Sequence, residues 1–118
     1  MKSVKSALII KEKWLELILS SKKNWEIRGS ATSKRGKIAL IQSGSGKIYG
    51  YADLVDCIGP LSSNDLLKNL RKHKILKKNI KSIRYKKPYA WVLKNVKCLK
   101  TPKNYIHPQG AIIWVNLK

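Results

Sequence analysis

The run Ser21-Lys22-Lys23-Asn24-Trp25-Glu26-Ile27-Arg28 joins two different periodicities. Just before it, in residues 11–20 (KEKWLELILS), apolar side chains recur at helical spacing. Trp14 lies four residues before Ile18 and Leu15 four before Leu19, with Glu12, Lys13 and Glu16 on the other face. That helix is expected to stop near 20–23, where Lys22 and Lys23 meet the negative end of its dipole. Residues 24–28 then alternate as a strand does. Asn24, Glu26 and Arg28 share one face, and Trp25 and Ile27 the other. If the polar face lines a cleft, Lys23 and Arg28 can hold a phosphate, and Glu26 can hydrogen-bond a base or accept a proton. The plainer alternative is a solvent-facing strand with a weak charge pair.

Working outward, residues 5–10 (KSALII) form a short buried strand and residues 29–35 a polar loop. Strand 36–42 runs into Ser43-Gly44-Ser45-Gly46, a tight turn with two permissive glycines. In the return strand, 47–58, Ile48, Gly50, Ala52 and Leu54 alternate with Tyr49, Tyr51 and Asp53, so the two read as a hairpin. Gly59-Pro60 closes that unit. Ser62 or Ser63 can cap a helix to about residue 72, with Leu66, Leu67 and Leu70 as its apolar stripe. A long strand, 89–99, loses its alternation between Leu93 and Val96, which points to a bulge. A loop, 100–110, and a last strand, 111–117, follow. The order β-α-β-β-β-α-β-β predicts an α+β fold in one domain, 1–118. About six strands would curl into a small barrel, with two or three helices at its openings.

Charge is the leading compositional property. Twenty-six Lys and Arg against six Asp and Glu give a formal +20 on 118 residues. Self-repulsion of that size is relieved by an anionic partner, and nucleic acid releases counterions when its phosphates are neutralised. Lys dominates the basic residues, so drift in base composition is the competing explanation of the excess. Residues 68–87 contain no acid at all. Cys57 and Cys98 lack any CxxC or His cluster, so buried free thiols in a reducing compartment are expected. No secretory signal or membrane-length apolar run is present, and a cytoplasmic monomer without metal or cofactor is expected.

The octapeptide resembles the ASCH-domain motif, commonly written G-x-K-x-x-E-x-R, with Lys23, Glu26 and Arg28 in register and Ser21 where the motif has Gly. The helix with Trp14, the turn at 43–46, the segment Tyr85 to Trp91 through Pro88, and His107-Pro108-Gln109-Gly110-Ala111 also look like that family. The resemblance implies a PUA-like barrel with a cleft, in a superfamily associated with RNA binding and RNA modification. Some ASCH-like proteins are nucleases, or small amidohydrolases acting on acylated cytidine. In the latter the motif Lys works with a Thr at the motif Glu position. Glu26 occupies that position here, so only a Lys–Glu mechanism would carry over, with Glu26 activating water and Lys23 steadying an oxyanion.

The expected binding residues are therefore Lys23, Glu26 and Arg28, with Ser43, Tyr89, Trp91 and His107 lining the cleft. Arg71, Lys72, Lys74, Lys77, Lys78, Lys81, Arg84, Lys86 and Lys87 would track a phosphate backbone beside Tyr85 and Tyr89. Trp14, Trp25 and Trp114 are expected in the core and His73 at the surface. His107 is read as either a structural hydrogen bond or cleft lining. The expected partner is RNA or a nucleotide-like ligand. The rivals are a hydrolase that uses Lys23 and Glu26 at the same cleft, and a basic protein-interaction module.

Overall fold

The computed structural model describes residues 4–117. In chain order the elements are β1 (Ser6–Ile10), α1 (Glu12–Leu19), β2 (Trp25–Arg28), β3 (Gly36–Gln42) and β4 (Lys47–Ile58). They continue with α2 (Ser63–Lys68), α3 (Leu70–His73), a 3-10 turn (Lys77–Ser82), β5 (Tyr89–Asn104) and β6 (Trp114–Asn116). The strands form one six-stranded sheet, in the order β2-β5-β4-β3-β1-β6, curled into a half-barrel. β1 and β3 run parallel, which requires the crossover that α1 and β2 supply; the other neighbours are antiparallel.

Strand alternation sorts the side chains into layers. Leu8 and Ile10 join Ile38, Leu40, Ala52, Leu54, Trp91 and Leu93 in the main core, where α1 contributes Leu15 and Ile18. Complete burial of Leu15 and Ile18 is worth roughly 1.5–3 kcal/mol each, which is what holds α1 to the sheet. Their strand neighbours Ala7, Ile9, Ala39 and Ile41 face the opposite way, with Ile48 and Val115. A third cluster joins Trp25 and Ile27 of β2 and Ala90 and Val92 of β5 to Leu61, Leu66 and Ile80. The segment from α2 to the 3-10 turn thus roofs the β2–β5 edge. Gly50 lets α1 come close, since a Cβ there would strike the Lys97 carbonyl and the Leu19 side chain.

The structure adjusts several sequence boundaries. The helix expected over 62–72 is two helices broken at Asn69. Asn69 Nδ2 donates to the Asp65 carbonyl at 2.7 Å, taking the acceptor that a continuous helix would offer its own N–H. Ser62 is the cap, in a reciprocal pair with Asp65. The strand expected over 89–99 continues to Asn104, because the twelve-residue β4 still offers Lys47 and Ile48 as partners there. One of its bulges lies where the register slips between Lys94 and Lys97, with Asn95 at φ 53°, and a second slip follows between Cys98 and Lys103. The last strand covers only 114–116, because residues 108–111 form a turn. Neither cysteine is buried: Cys57 is half-buried and Cys98 exposed on the outer side of β5.

The turn between α1 and β2 is tight. Ser21 takes φ 63°, and Lys22 N and Lys23 N both donate to the Leu17 carbonyl, at 2.9 and 3.1 Å. This left-handed cap suits glycine, the residue the ASCH motif carries there. Ser21→Gly is therefore expected to stabilise the fold by about 1 kcal/mol, raising the unfolding midpoint by about 3 °C in calorimetry. An unchanged or lower midpoint would contradict the strain assigned to this cap.

Candidate functional site

The turn at Ser21 swings Lys23 inward. Its ammonium, in a residue only 2% exposed, donates to the Trp25 carbonyl and the His73 carbonyl, each at 2.6 Å. It lies 3.6 Å from Glu26 Oε1 and 4.7 Å from the centre of the Trp14 ring. Two residues into β2, Glu26 is also buried. Its Oε2 accepts from Arg28 Nε at 3.0 Å and pairs with Arg28 Nη2 at 2.8 Å. Arg28 Nη2 also donates to the Ile9 carbonyl at 2.8 Å, linking β2 at one end of the sheet order to β1 near the other. The Arg28 guanidinium sits 5.6 Å over Trp91, which stacks on Trp114.

Burial pulls Lys23 from 10.5 down to about 8; Glu26 resists that shift and Arg28 adds to it. His73, expected at the surface, is fully buried. Its Nδ1 accepts from Ile75 N at 2.9 Å, so Nε2 carries the hydrogen and donates to the Leu66 carbonyl at 2.7 Å. Burial lowers its pKa, the Leu66 bond opposes that, and Lys23 lowers it further. This neutral imidazole shapes the chain so that the His73 carbonyl meets Lys23.

Above Lys23 and Glu26 opens a groove of about 550 Å³, walled by Trp14 of α1 on one side and by residues 75–85 on the other. Lys11, Lys13 and Arg84 bring positive charge to it, and Ile27, Ile75, Leu76, Ile83 and Tyr85 bring apolar surface. A smaller lobe of about 200 Å³ shares Trp14, Glu26 and Tyr85 and adds Arg28, Ser43 and Ile112. Tyr85 lies flat against Gly29, where a Cβ would come within 2.5 Å of its ring. Among the described residues no cluster of His, Cys, Asp or Glu could hold a metal ion.

Of the residues singled out from sequence, the structure brings together Lys23, Glu26, Arg28, Ser43, Arg84 and Tyr85 around the groove and its smaller lobe. It places Tyr89, Trp91 and His107 elsewhere. Trp91 is 2% exposed, because its face of β5 points into the core, where its Nε1 donates to the Ser30 carbonyl at 2.9 Å. Tyr89 packs against Gly59. His107 braces an exposed loop, with Nδ1 2.7 Å from the Tyr105 hydroxyl and Nε2 2.9 Å from the Ala111 carbonyl. The basic block divides. Lys77, Lys78 and Lys81 surround a separate hollow with Leu67 and Ile80, and Lys72 lies 5.0 Å over Trp25. Arg71, Lys86 and Lys87 are exposed and Lys74 is half-buried, all outside the groove's lining. Trp14, expected in the core, packs against it at the margin of the α1 stripe but is only half-buried and also faces the groove. Its neighbours Lys11 and Lys13 were the available signal, since they mark that margin as open to solvent.

The buried ammonium gives a pH test. The folded pKa lies below the unfolded one, so the charge opposes folding below about pH 8, and that penalty fades as pH rises toward 10.5. A neutral amine keeps two hydrogens for the two carbonyls. Stability should therefore climb between pH 8 and 10.5, relative to a Lys23→Met protein, in denaturant titrations. At pH 7 Lys23→Met should cost about 3–5 kcal/mol, because both carbonyls and Glu26 lose a buried partner. Equal pH slopes in the two proteins would contradict the burial of Lys23.

Comparison with known proteins follows the same outline. The ASCH domain profile matches residues 8–103. No curated protein sequence matches the chain. The crystal structure of ASCH from Zymomonas mobilis superposes with a TM-score of 0.73 at 16% identity, covering 96% of this chain and 87% of that one. A single-residue mutant of that protein also gives a TM-score of 0.73 at 16% identity, covering 98% of this chain and 91% of its own. Identity this low speaks to the fold, a small α+β, PUA-like one. With the profile spanning most of its length, the chain belongs to the ASCH-domain family.

Proposed function

We propose that this chain is a single-domain, monomeric RNA-binding module that takes an unpaired nucleotide into the groove between α1 and residues 75–85. One observation carries the reading. A buried carboxylate, Glu26, forms the floor of an open groove that has aromatic walls and a basic rim. Trp14 and Tyr85 suit the faces of a base, and Lys11, Lys13 and Arg84 suit its phosphates. Unpaired bases are the form in which RNA offers its edges to a protein. The remaining lysines add long-range attraction with little sequence preference. Among the described residues no helix is long and apolar enough to cross a membrane, and +20 of charge points to a polyanion.

The hydrolase reading is less well supported by the same geometry. Lys23 spends two hydrogens on main-chain carbonyls at 2.6 Å and lies in ionic contact with Glu26 at 3.6 Å, so the carboxylate competes with a developing oxyanion for its remaining charge. The triad reads as a rigid floor for binding.

Purified protein mixed with total tRNA across a salt series tests the proposal. Affinity should fall steeply with salt, and the RNA should keep its mass in mass spectrometry. Trp14→Ala should weaken binding by roughly tenfold through lost stacking, with little effect on the salt slope. Arg84→Ala should reduce that slope by about one. Cleaved RNA, with cleavage lost in Glu26→Ala, would overturn the binding reading in favour of a hydrolase.

A further inference from the structure

In the main groove the polar floor is Lys23 and Glu26, and their hydrogen-bonding capacity is almost fully committed; Arg28, whose Nη1 takes no part in these bonds, lines only the smaller lobe. Lys23 donates to Trp25 O and His73 O. Arg28 Nε and Nη2 are both turned onto Glu26 Oε2, and Nη2 is shared with the Ile9 carbonyl. Oε2 is thereby filled. Oε1 differs: its partner is the Lys23 ammonium at 3.6 Å, an ionic contact too long for a hydrogen bond. Among the described residues no buried side-chain oxygen or nitrogen is left without a hydrogen bond. Oε1 therefore touches solvent, and the groove that Glu26 lines opens beside it.

Resting on the RNA-binding reading, we infer that Glu26 Oε1 selects the base. It accepts a hydrogen bond from an exocyclic amine and discriminates against uracil. Lys23 and Arg28 flank Glu26 with positive charge, and a carboxylate paired in this way accepts hydrogen bonds without donating any. Cytosine presents an N4 amino group that can reach such an acceptor. At the corresponding position uracil presents O4, a second acceptor, which would set two oxygens against each other in a groove with apolar walls. Adenine and guanine also carry an amine, so the floor sorts amino-bearing bases from uracil. Cytosine against uracil is the clean comparison because the two are alike in size and stacking surface.

The test uses the intact protein and equal-length oligocytidylate and oligouridylate, compared by fluorescence anisotropy at one salt concentration. Identical phosphates cancel the electrostatic term. Oligocytidylate should bind at least about tenfold more tightly. An oligonucleotide of N4,N4-dimethylcytidine, which has lost both amine hydrogens, should bind as weakly as oligouridylate. Glu26→Gln supplies an amide N–H toward O4 and should erase the preference, with circular dichroism confirming the fold. The dimethyl probe needs no variant, so it decides even if Glu26→Gln unfolds. Equal binding of oligocytidylate and oligouridylate, or retained binding of the dimethyl probe, would overturn the selectivity and leave RNA binding standing. No binding of any oligonucleotide would overturn both.

Discussion

Two hydrogen bonds from one buried ammonium, Lys23 to the Trp25 and His73 carbonyls, fix the relation between the barrel and the arm that covers its edge. The groove is built around this contact. It anchors the chain at His73 where residues 75–85 begin their wall, and holds the first residue of β2 directly before Glu26, while the apolar cluster and the pairing with β5 pack both in place. Arg28 repeats the device on the other side, tying β2 through the Ile9 carbonyl to β1. The three charged side chains therefore span parts of the chain that the hydrophobic clusters alone leave loosely related.

Buried ion pairs seldom add net stability, since desolvation consumes most of the attraction. Here the same interior volume filled with apolar side chains would still close the core, but it would leave two carbonyls without donors and the groove without a polar floor. The arrangement makes sense as geometric specification. A carboxylate held from two sides cannot rotate toward its neighbours, so its free oxygen keeps one direction. That is preorganisation of a kind that lowers the entropic cost of engaging a ligand.

Much of this fold was legible in sequence because strand alternation is a local signal. The hairpin of β3 and β4 matches its expected limits, and the first bulge in β5 lies where the alternation fails. The break at Asn69 was hidden, because it comes from one side chain capturing a carbonyl four residues back. The spacing put Glu26 and Arg28 on one strand face with Lys23 in the entry turn, but neither the convergence of the three nor their burial was legible. That burial depends on the His73 carbonyl, fifty residues away, which no local pattern announces. Trp14 and Trp91 exchange roles for a related reason. Trp91 lies on the face of β5 that the curled sheet turns to the core, while Trp14 lies at the edge of the α1 stripe, beside the groove. The basic block looked continuous in sequence, yet the 3-10 turn sends its lysines toward different surfaces.

On the binding reading proposed above, the fixed carboxylate and the aromatic wall beside it meet the ligand directly. Nuclear magnetic resonance follows both in one titration, through the Glu26 side-chain carboxyl carbon and the Trp14 indole N–H, as short oligocytidylate is added. The account predicts that both signals shift together and saturate at the same ligand concentration, while the buried Trp91 indole stays still. Shifts confined to the exposed lysines of residues 71–87, with Glu26 and Trp14 unmoved, would contradict it.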